Sequence, residues 1–160
     1  RNASIFAEVR GSAMTASPGS IAHPDAAAIA GCMRKALDDA ALRPCDIAYV
    51  GAHATATVFG DSAEGQAIEQ VFGVDTPVSS QKGNLGHTMA ASGALESILC
   101  ILMNNSAMFL PTAGLTDPDP ACGRIGHFAA PLTGRRGPVL KNAFALGGSN
   151  CTVVFDRYSA

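Results

Sequence analysis

Three short stretches of this chain carry side chains able to do chemistry. His53 stands in Gly51-Ala52-His53-Ala54-Thr55-Ala56-Thr57, directly after the apolar run 47–51. Strand ends are where α/β sheets usually display reactive groups, and threonine hydroxyls at alternate positions can hydrogen-bond an amide-bearing ligand. Taken alone, such a histidine is more often a satisfied polar residue than a catalyst. The second stretch, Ser79-Ser80-Gln81-Lys82-Gly83-Asn84-Leu85-Gly86-His87, leads from a strand through glycines into a long apolar segment. That order puts His87 at a helix N-terminus, where the dipole disfavours imidazolium and a neutral ring can donate a hydrogen bond to a developing oxyanion. Glu96 lies further along the same segment, and a carboxylate on an apolar helix needs a partner, for which Lys82 is the obvious candidate. A phosphate-binding glycine loop or a structural ion pair would use similar residues, but no Gly-Lys-Ser/Thr triplet of the Walker pattern is present. The third stretch, Asn142-Ala143-Phe144-Ala145-Leu146-Gly147-Gly148-Ser149-Asn150, joins two strand-like runs through paired glycines. Such a turn either brings backbone N–H groups close to a ligand or is simply a hairpin.

Positioning these groups requires a scaffold, and the pattern supplies one. Strand composition over 5–9 is followed by a Gly-, Ser- and Pro-rich loop over 11–24. Ile29, Met33, Ala36, Leu37 and Ala40 recur at helical spacing within 25–41, which Arg43-Pro44 terminates. A strand over 47–51, a helix over 61–72 and a strand over 77–80 follow. The segment 87–104 is apolar on nearly every face, so the sequence predicts a helix buried inside the protein. Runs 139–146 and 150–155 read as paired strands, giving the order βαβαβαββ and a mixed sheet covered by helices. The connection 105–138 is long for a compact domain, which points to function or to packing against a partner.

With 160 residues and 48% hydrophobic content, the chain can form one compact domain, spanning 1–160. A formal net charge of -2 and dispersed positive charges exclude a nucleic-acid-tracking stripe, and Arg135-Arg136 reads as a solvated loop. The 5 cysteines are scattered without ligand spacing, so neither a disulfide framework nor a metal site is expected. A reducing, cytoplasmic setting follows as the default, with no membrane partner, because no apolar run has spanning length. The chain opens on Arg1 within a strand-like run, as a piece of something longer would.

Together and in this order, the motifs resemble those of the β-ketoacyl synthases of fatty-acid and polyketide assembly. His53 to Thr57 with Gly60-Asp61 is similar to the family's His-Gly-Thr-Gly/Ser-Thr signature, and Lys82 to His87 to its Lys-x-x-x-Gly-His signature. The Lys82 to Glu96 spacing resembles the family's ion pair, and Pro111-Thr112 with Pro118-Asp119-Pro120 its proline-rich connection. Asn142 to Asn150 resembles Asn-Ser-Phe-Gly-Phe-Gly-Gly-Thr-Asn. The resemblance implies an α/β fold of thiolase-like layered αβαβα architecture, with this chain as the C-terminal half. It implies that His53 and His87 bind the extender thioester carbonyl during decarboxylation, and that Lys82 and Glu96 organise His87. It further implies that Thr55 and Thr57 contact the pantetheine arm, while Phe144, Leu146 and Gly147 form an oxyanion and gate loop. No cofactor is implied beyond the phosphopantetheine of an acyl carrier protein. The implied partners are that carrier and a cysteine-bearing N-terminal half or subunit, in a dimer of complete units. Three departures stand out. No cysteine here has the setting of the family's nucleophile, Ala54 and Ala56 replace residues that are usually glycine, and Ala145-Leu146 stands where the family has Gly-Phe. A chain-length-factor-like partner and a malonyl thioester decarboxylase are therefore the alternative readings.

Overall fold

The computed structural model describes residues 3–17 and 23–159. Its strands are β1 (Glu8–Ala16), β2 (Tyr49–Gly51), β3 (Pro77–Ser79), β4 (Met108–Phe109), β5 (Gly126–His127), β6 (Leu132–Thr133), β7 (Val139–Ala145) and β8 (Ser149–Asp156). Its helices are α1 (Ala26–Asp39), α2 (Val58–Phe72), the single turn α3 (Lys82–Leu85) and α4 (Ser92–Ser106). One sheet has the order β1-β8-β7-β2-β3-β5, and β4 pairs with β6 separately. β2 runs parallel to β3 and β7, whereas β7–β8 and β8–β1 are antiparallel.

Period-two alternation along the strands creates two cores. Val50, Leu140 and Val154 face α1 and α2 and pack with Ile29, Met33 and Ile68. Their neighbours Tyr49, Val139 and Phe155 face the other way, joining Cys100, Met103 and Phe109. Tyr49 and Phe109 stack with ring centroids 4.6 Å apart, and each fully buried aromatic contributes about 2–3 kcal/mol. β2 is buried along its whole length because helices cover both of its faces. α1 starts where Asp25 accepts the Ala27 N–H at 2.8 Å.

The structure departs most from the sequence reading in three places, beyond α2 starting at Val58 rather than at 61. β1 covers Glu8–Ala16, most of it in the stretch read as loop, because it pairs with β8 in a ladder from Glu8↔Asp156 to Ala16↔Ser149, interrupted by a bulge at Arg10. Gly11 lies against the end of α1, where an added Cβ would meet Ala40 N at 2.4 Å. The rest of that expected loop includes residues 18–22, which lie outside the described residues. α4 begins at Ser92, after a 3-10 turn over Met89–Ala91, and not at His87. Nor is it buried on every side. Glu96, Cys100 and Met103 face the sheet, while Leu95, Ile98 and Leu102 are exposed by 41%, 52% and 48%. An all-round apolar helix needs cover on two sides, and the described residues cover one. Within the long connection, β5 extends the main sheet and β4–β6 make a local pair. No helix among the described residues is long and apolar enough to cross a membrane.

Candidate functional site

β2 ends at Gly51, and the chain turns over His53 into α2. Glu64, buried on α2, fixes that turn. Its carboxylate accepts the His53 N–H at 2.8 Å, the Ala54 N–H at 2.8 Å and the Asn142 side-chain amide at 3.1 Å. Asn142 is oriented in turn by the Thr152 hydroxyl at 2.9 Å. Burial pushes the Glu64 carboxyl up, opposed by these N–H donors. Ala54 and Ala56 take φ of 26° and 61°, the left-handed region where a Cβ costs about 1 kcal/mol. The glycines expected at both places have this backbone requirement as their physical reason. Beyond them the Thr55 and Thr57 hydroxyls lie 3.2 Å apart.

Below His53 sits a buried charge cluster. Lys82 Nζ is 2.7 Å from Glu96 Oε1, so the ion pair expected from spacing is present, and Lys141 Nζ is 2.7 Å from Glu96 Oε2. Burial raises the Glu96 carboxyl, but the two lysines outweigh it and hold the group below its ordinary value. Burial also pulls the Lys82 ammonium down, against the pull of Glu96. Lys82, expected with Glu96 beside His87, contacts His53 instead: its Nζ donates to the His53 carbonyl and lies 3.4 Å from Nδ1. An ammonium only donates. Nδ1 is therefore the acceptor, and the ring proton sits on Nε2. Burial first, then the charges of Lys82 and Lys141, hold His53 down to about 3, so the ring is neutral near pH 7.

His87 reaches the same state by other means. It is exposed, and its Nδ1 accepts the Met89 N–H at 3.1 Å and lies 3.0 Å from the Ser92 hydroxyl. A ring nitrogen accepting a backbone N–H carries no proton, so the neutral ring again has Nε2–H. The geometry comes from this local turn, with Met89 at φ 54°, and not from a position on the first turn of α4. The two imidazoles stand edge to face with centroids 6.0 Å apart, and Phe144 packs 5.4 Å from His53.

The β7–β8 hairpin closes on Ala145↔Ser149, leaving Leu146-Gly147-Gly148 as its loop. Gly147 and Gly148 have φ of 86° and 80°, and a Cβ on Gly148 would meet Ser17 O at 2.4 Å. Leu146 is 79% exposed. A cleft of about 750 Å³ runs between this loop and the turn after β2, lined by His53, Thr55, Thr57, His87, Phe144 and Leu146. Another of about 510 Å³ lies toward the Thr112–Cys122 side. Thr55 and His87 line both. His53, His87, Thr55, Thr57, Phe144 and Leu146 thus converge on the larger cleft, whereas Lys82 and Glu96 lie beneath His53 and Gly147 does not line it. Sequence reasoning missed Glu64 and Lys141; a charge inside the apolar run 139–146 is the signal that could have found Lys141, whereas Glu64 stands among polar residues of α2 that hide it. Among the described residues, no cluster of three or more His, Cys, Asp or Glu side chains could hold a metal.

Comparison with known proteins identifies the family. Residues 6–116 match the family model of the β-ketoacyl synthase C-terminal domain. Nodulation protein E of Rhizobium leguminosarum bv. trifolii is 37% identical over 160 residues, covering 98% of this chain and 40% of that protein. The 3-oxoacyl-[acyl-carrier-protein] synthase 2 of Coxiella burnetii is 34% identical over 164 residues, covering 98% of this chain and 39% of that protein. A β-ketoacyl synthase crystal structure from Burkholderia phymatum STM815 superposes with a TM-score of 0.94 at 38% identity, covering 98% of this chain and 38% of that one. The ishigamide ketosynthase/chain length factor superposes with a TM-score of 0.88 at 30% identity, covering 98% and 39%. The chain spans about 40% of the length of the curated relatives. It belongs to the β-ketoacyl synthases, a family of condensing transferases, and forms their C-terminal domain, an α/β half of the thiolase-type fold.

Proposed function

We propose that the protein containing this domain performs a decarboxylative Claisen condensation between an acyl thioester and a malonyl thioester held on a carrier protein's phosphopantetheine. The observation that carries this reading is the pair of neutral imidazoles, both with Nε2–H, lining one cleft with ring centroids 6.0 Å apart. Breaking the bond between the malonyl carboxylate and Cα releases carbon dioxide and moves the electron pair onto the thioester oxygen. Two preorganised N–H donors stabilise that enolate without needing to carry charge themselves. The enolate carbon then attacks the acyl-cysteine carbonyl, and collapse of the tetrahedral adduct expels the thiolate. That cysteine belongs to an N-terminal half or partner subunit of the complete unit. Thr55 and Thr57 take the pantetheine amides, and the backbone N–H of Leu146, in the loop with Gly147 and Phe144, supplies part of the oxyanion hole. A reducing cytoplasm suits the thiol chemistry.

One observation favours a second reading. Leu146 in the gate position, together with Ala145, fits a chain-length-factor-like partner, and loss of the nucleophile alone would leave a malonyl thioester decarboxylase. The complete protein given acyl and malonyl thioesters of a carrier protein separates the three. A 3-oxoacyl product supports the condensing enzyme. Carbon dioxide and an acetyl thioester without condensation support the decarboxylase, and neither product supports the partner role.

A further inference from the structure

Lys141 stands on β7, a strand whose neighbouring residues Val139, Leu140 and Asn142 are wholly buried, and it is itself only 3% exposed. Its ammonium touches three separate elements. It lies 2.7 Å from Glu96 Oε2 on α4, donates at 3.2 Å to the Ala52 carbonyl just beyond β2, and donates to the Asn142 carbonyl of its own strand. Gly51 makes room for it, since a Cβ there would meet Lys141 Cδ at 3.1 Å and Cys100 Sγ at 2.7 Å. A buried ammonium needs several acceptors to offset lost hydration, and here three oxygens surround it. Its effect passes to the site through Glu96. With Oε2 occupied by Lys141, only Oε1 is left for Lys82, which places Lys82 Nζ 2.7 Å from Oε1 and 3.4 Å from His53 Nδ1.

We propose that Lys141 is a positioning residue for His53: by holding Glu96 and the Ala52 carbonyl, it fixes Lys82 against Nδ1 and so keeps the imidazole proton on Nε2. No contact of Lys141 with the cleft is involved, and the role rests on the reading of His53 as a donor. The charged and titratable groups around His53 are Lys82 from α3, Lys141 from β7, Glu96 from α4, Glu64 from α2 and His87 from the segment before α4. Removing one of the two cations leaves the carboxylates less opposed, so protonated His53 becomes easier to form.

The test is nitrogen-15 NMR of the His53 ring in the complete protein, comparing wild type with Lys141→Met. Wild type should show a single Nε2–H tautomer that remains neutral below pH 5. In Lys141→Met we expect mixed tautomers and a His53 titration raised by at least about one unit, with the decarboxylation kcat down about tenfold and KM unchanged. Ammonium chloride should restore the tautomer in Lys141→Ala, where the removed side chain leaves room for the cation between Glu96 Oε2 and the two carbonyls, whereas sodium sulfate of equal ionic strength should not. A folded Lys141→Met with the wild-type ring spectrum and titration overturns the proposal. Should that variant fail to fold, Lys141→Gln keeps an N–H donor for the Ala52 carbonyl without the charge, and the same two outcomes apply to it. The ring spectrum is read without substrate. An unaltered ring spectrum therefore leaves the condensing-enzyme reading intact, and a wild type inactive on malonyl thioesters leaves the spectral result standing.

Discussion

The two histidines carry the same proton on the same nitrogen, yet the protein builds them by opposite strategies. His53 is half-buried and pinned from below by Glu64, Lys82 and, through Glu96, Lys141, on elements from four parts of the chain. His87 is exposed, and its orientation comes from Met89 and Ser92, within five residues. Long-range clamping makes a ring insensitive to local motion but costs desolvation. Local anchoring is cheap, and it leaves the group dependent on whatever covers the site. The exposed stripe of Leu95, Ile98 and Leu102 lies on the helix that follows His87.

This contrast can be undone from either side, and the largest effect belongs to the clamp. Glu64→Ala leaves the His53 and Ala54 N–H groups without their acceptor in a half-buried turn and the Asn142 amide with only Met33 Sδ at 3.4 Å, and should destabilise the protein by about 3 kcal/mol in denaturant titrations. Ser92→Ala, the matching cut beside His87, should cost only about 1 kcal/mol in the same experiment. Parity between the two variants would end the distinction.

Acid tests the clamped ring directly. The unfolded chain protonates His53 near its ordinary value of about 6.5, whereas in the folded protein the ring resists until about 3. Below about pH 6.5 the unfolded state therefore binds the extra proton, and stability falls as pH falls through that window. His53→Gln removes this contribution, so its stability should depend less steeply on pH between those limits, as followed by thermal unfolding across a pH series. An unchanged slope would mean that the folded ring titrates normally.

Smaller effects come from the backbone and the gate. Ala56 sits at φ 61°, and Ala56→Gly should stabilise by about 0.5 kcal/mol once the added freedom of the unfolded chain is deducted. Differential scanning calorimetry would detect it. Leu146→Phe should leave stability within about 0.5 kcal/mol, because the residue is exposed, while altering the acyl-chain profile of the complete enzyme. An identical product profile would remove Leu146 from any gating role.

Much of this arrangement is legible in the sequence, for reasons that differ by residue. Lys82 and Glu96 are readable as a pair because a carboxylate on an apolar helix must be neutralised, and their 2.7 Å contact follows that rule. The helix α1 is readable because its buried face repeats at helical spacing. β1 is not, since an edge strand rich in Gly, Ser and Thr has little alternation of its own and takes its form from the ladder with β8. The two-residue strands β4, β5 and β6 likewise exist through their partners. The sequence places Lys82 near His87, and its contact with His53 arises only because the fold brings β2 beside β3. Lys141 stays hidden because one charge in a buried strand announces a partner without naming it.

If the two Nε2–H groups act together on one developing negative charge, removing either should disable both. This is read from carbon dioxide release from isotopically labelled malonyl-carrier protein by the complete protein carrying His53→Ala, His87→Ala or both. Each single variant should lose at least about a hundredfold in rate while remaining folded, and the double variant should be little slower than either single one. Wild-type release from either folded single variant would contradict joint action of the two rings.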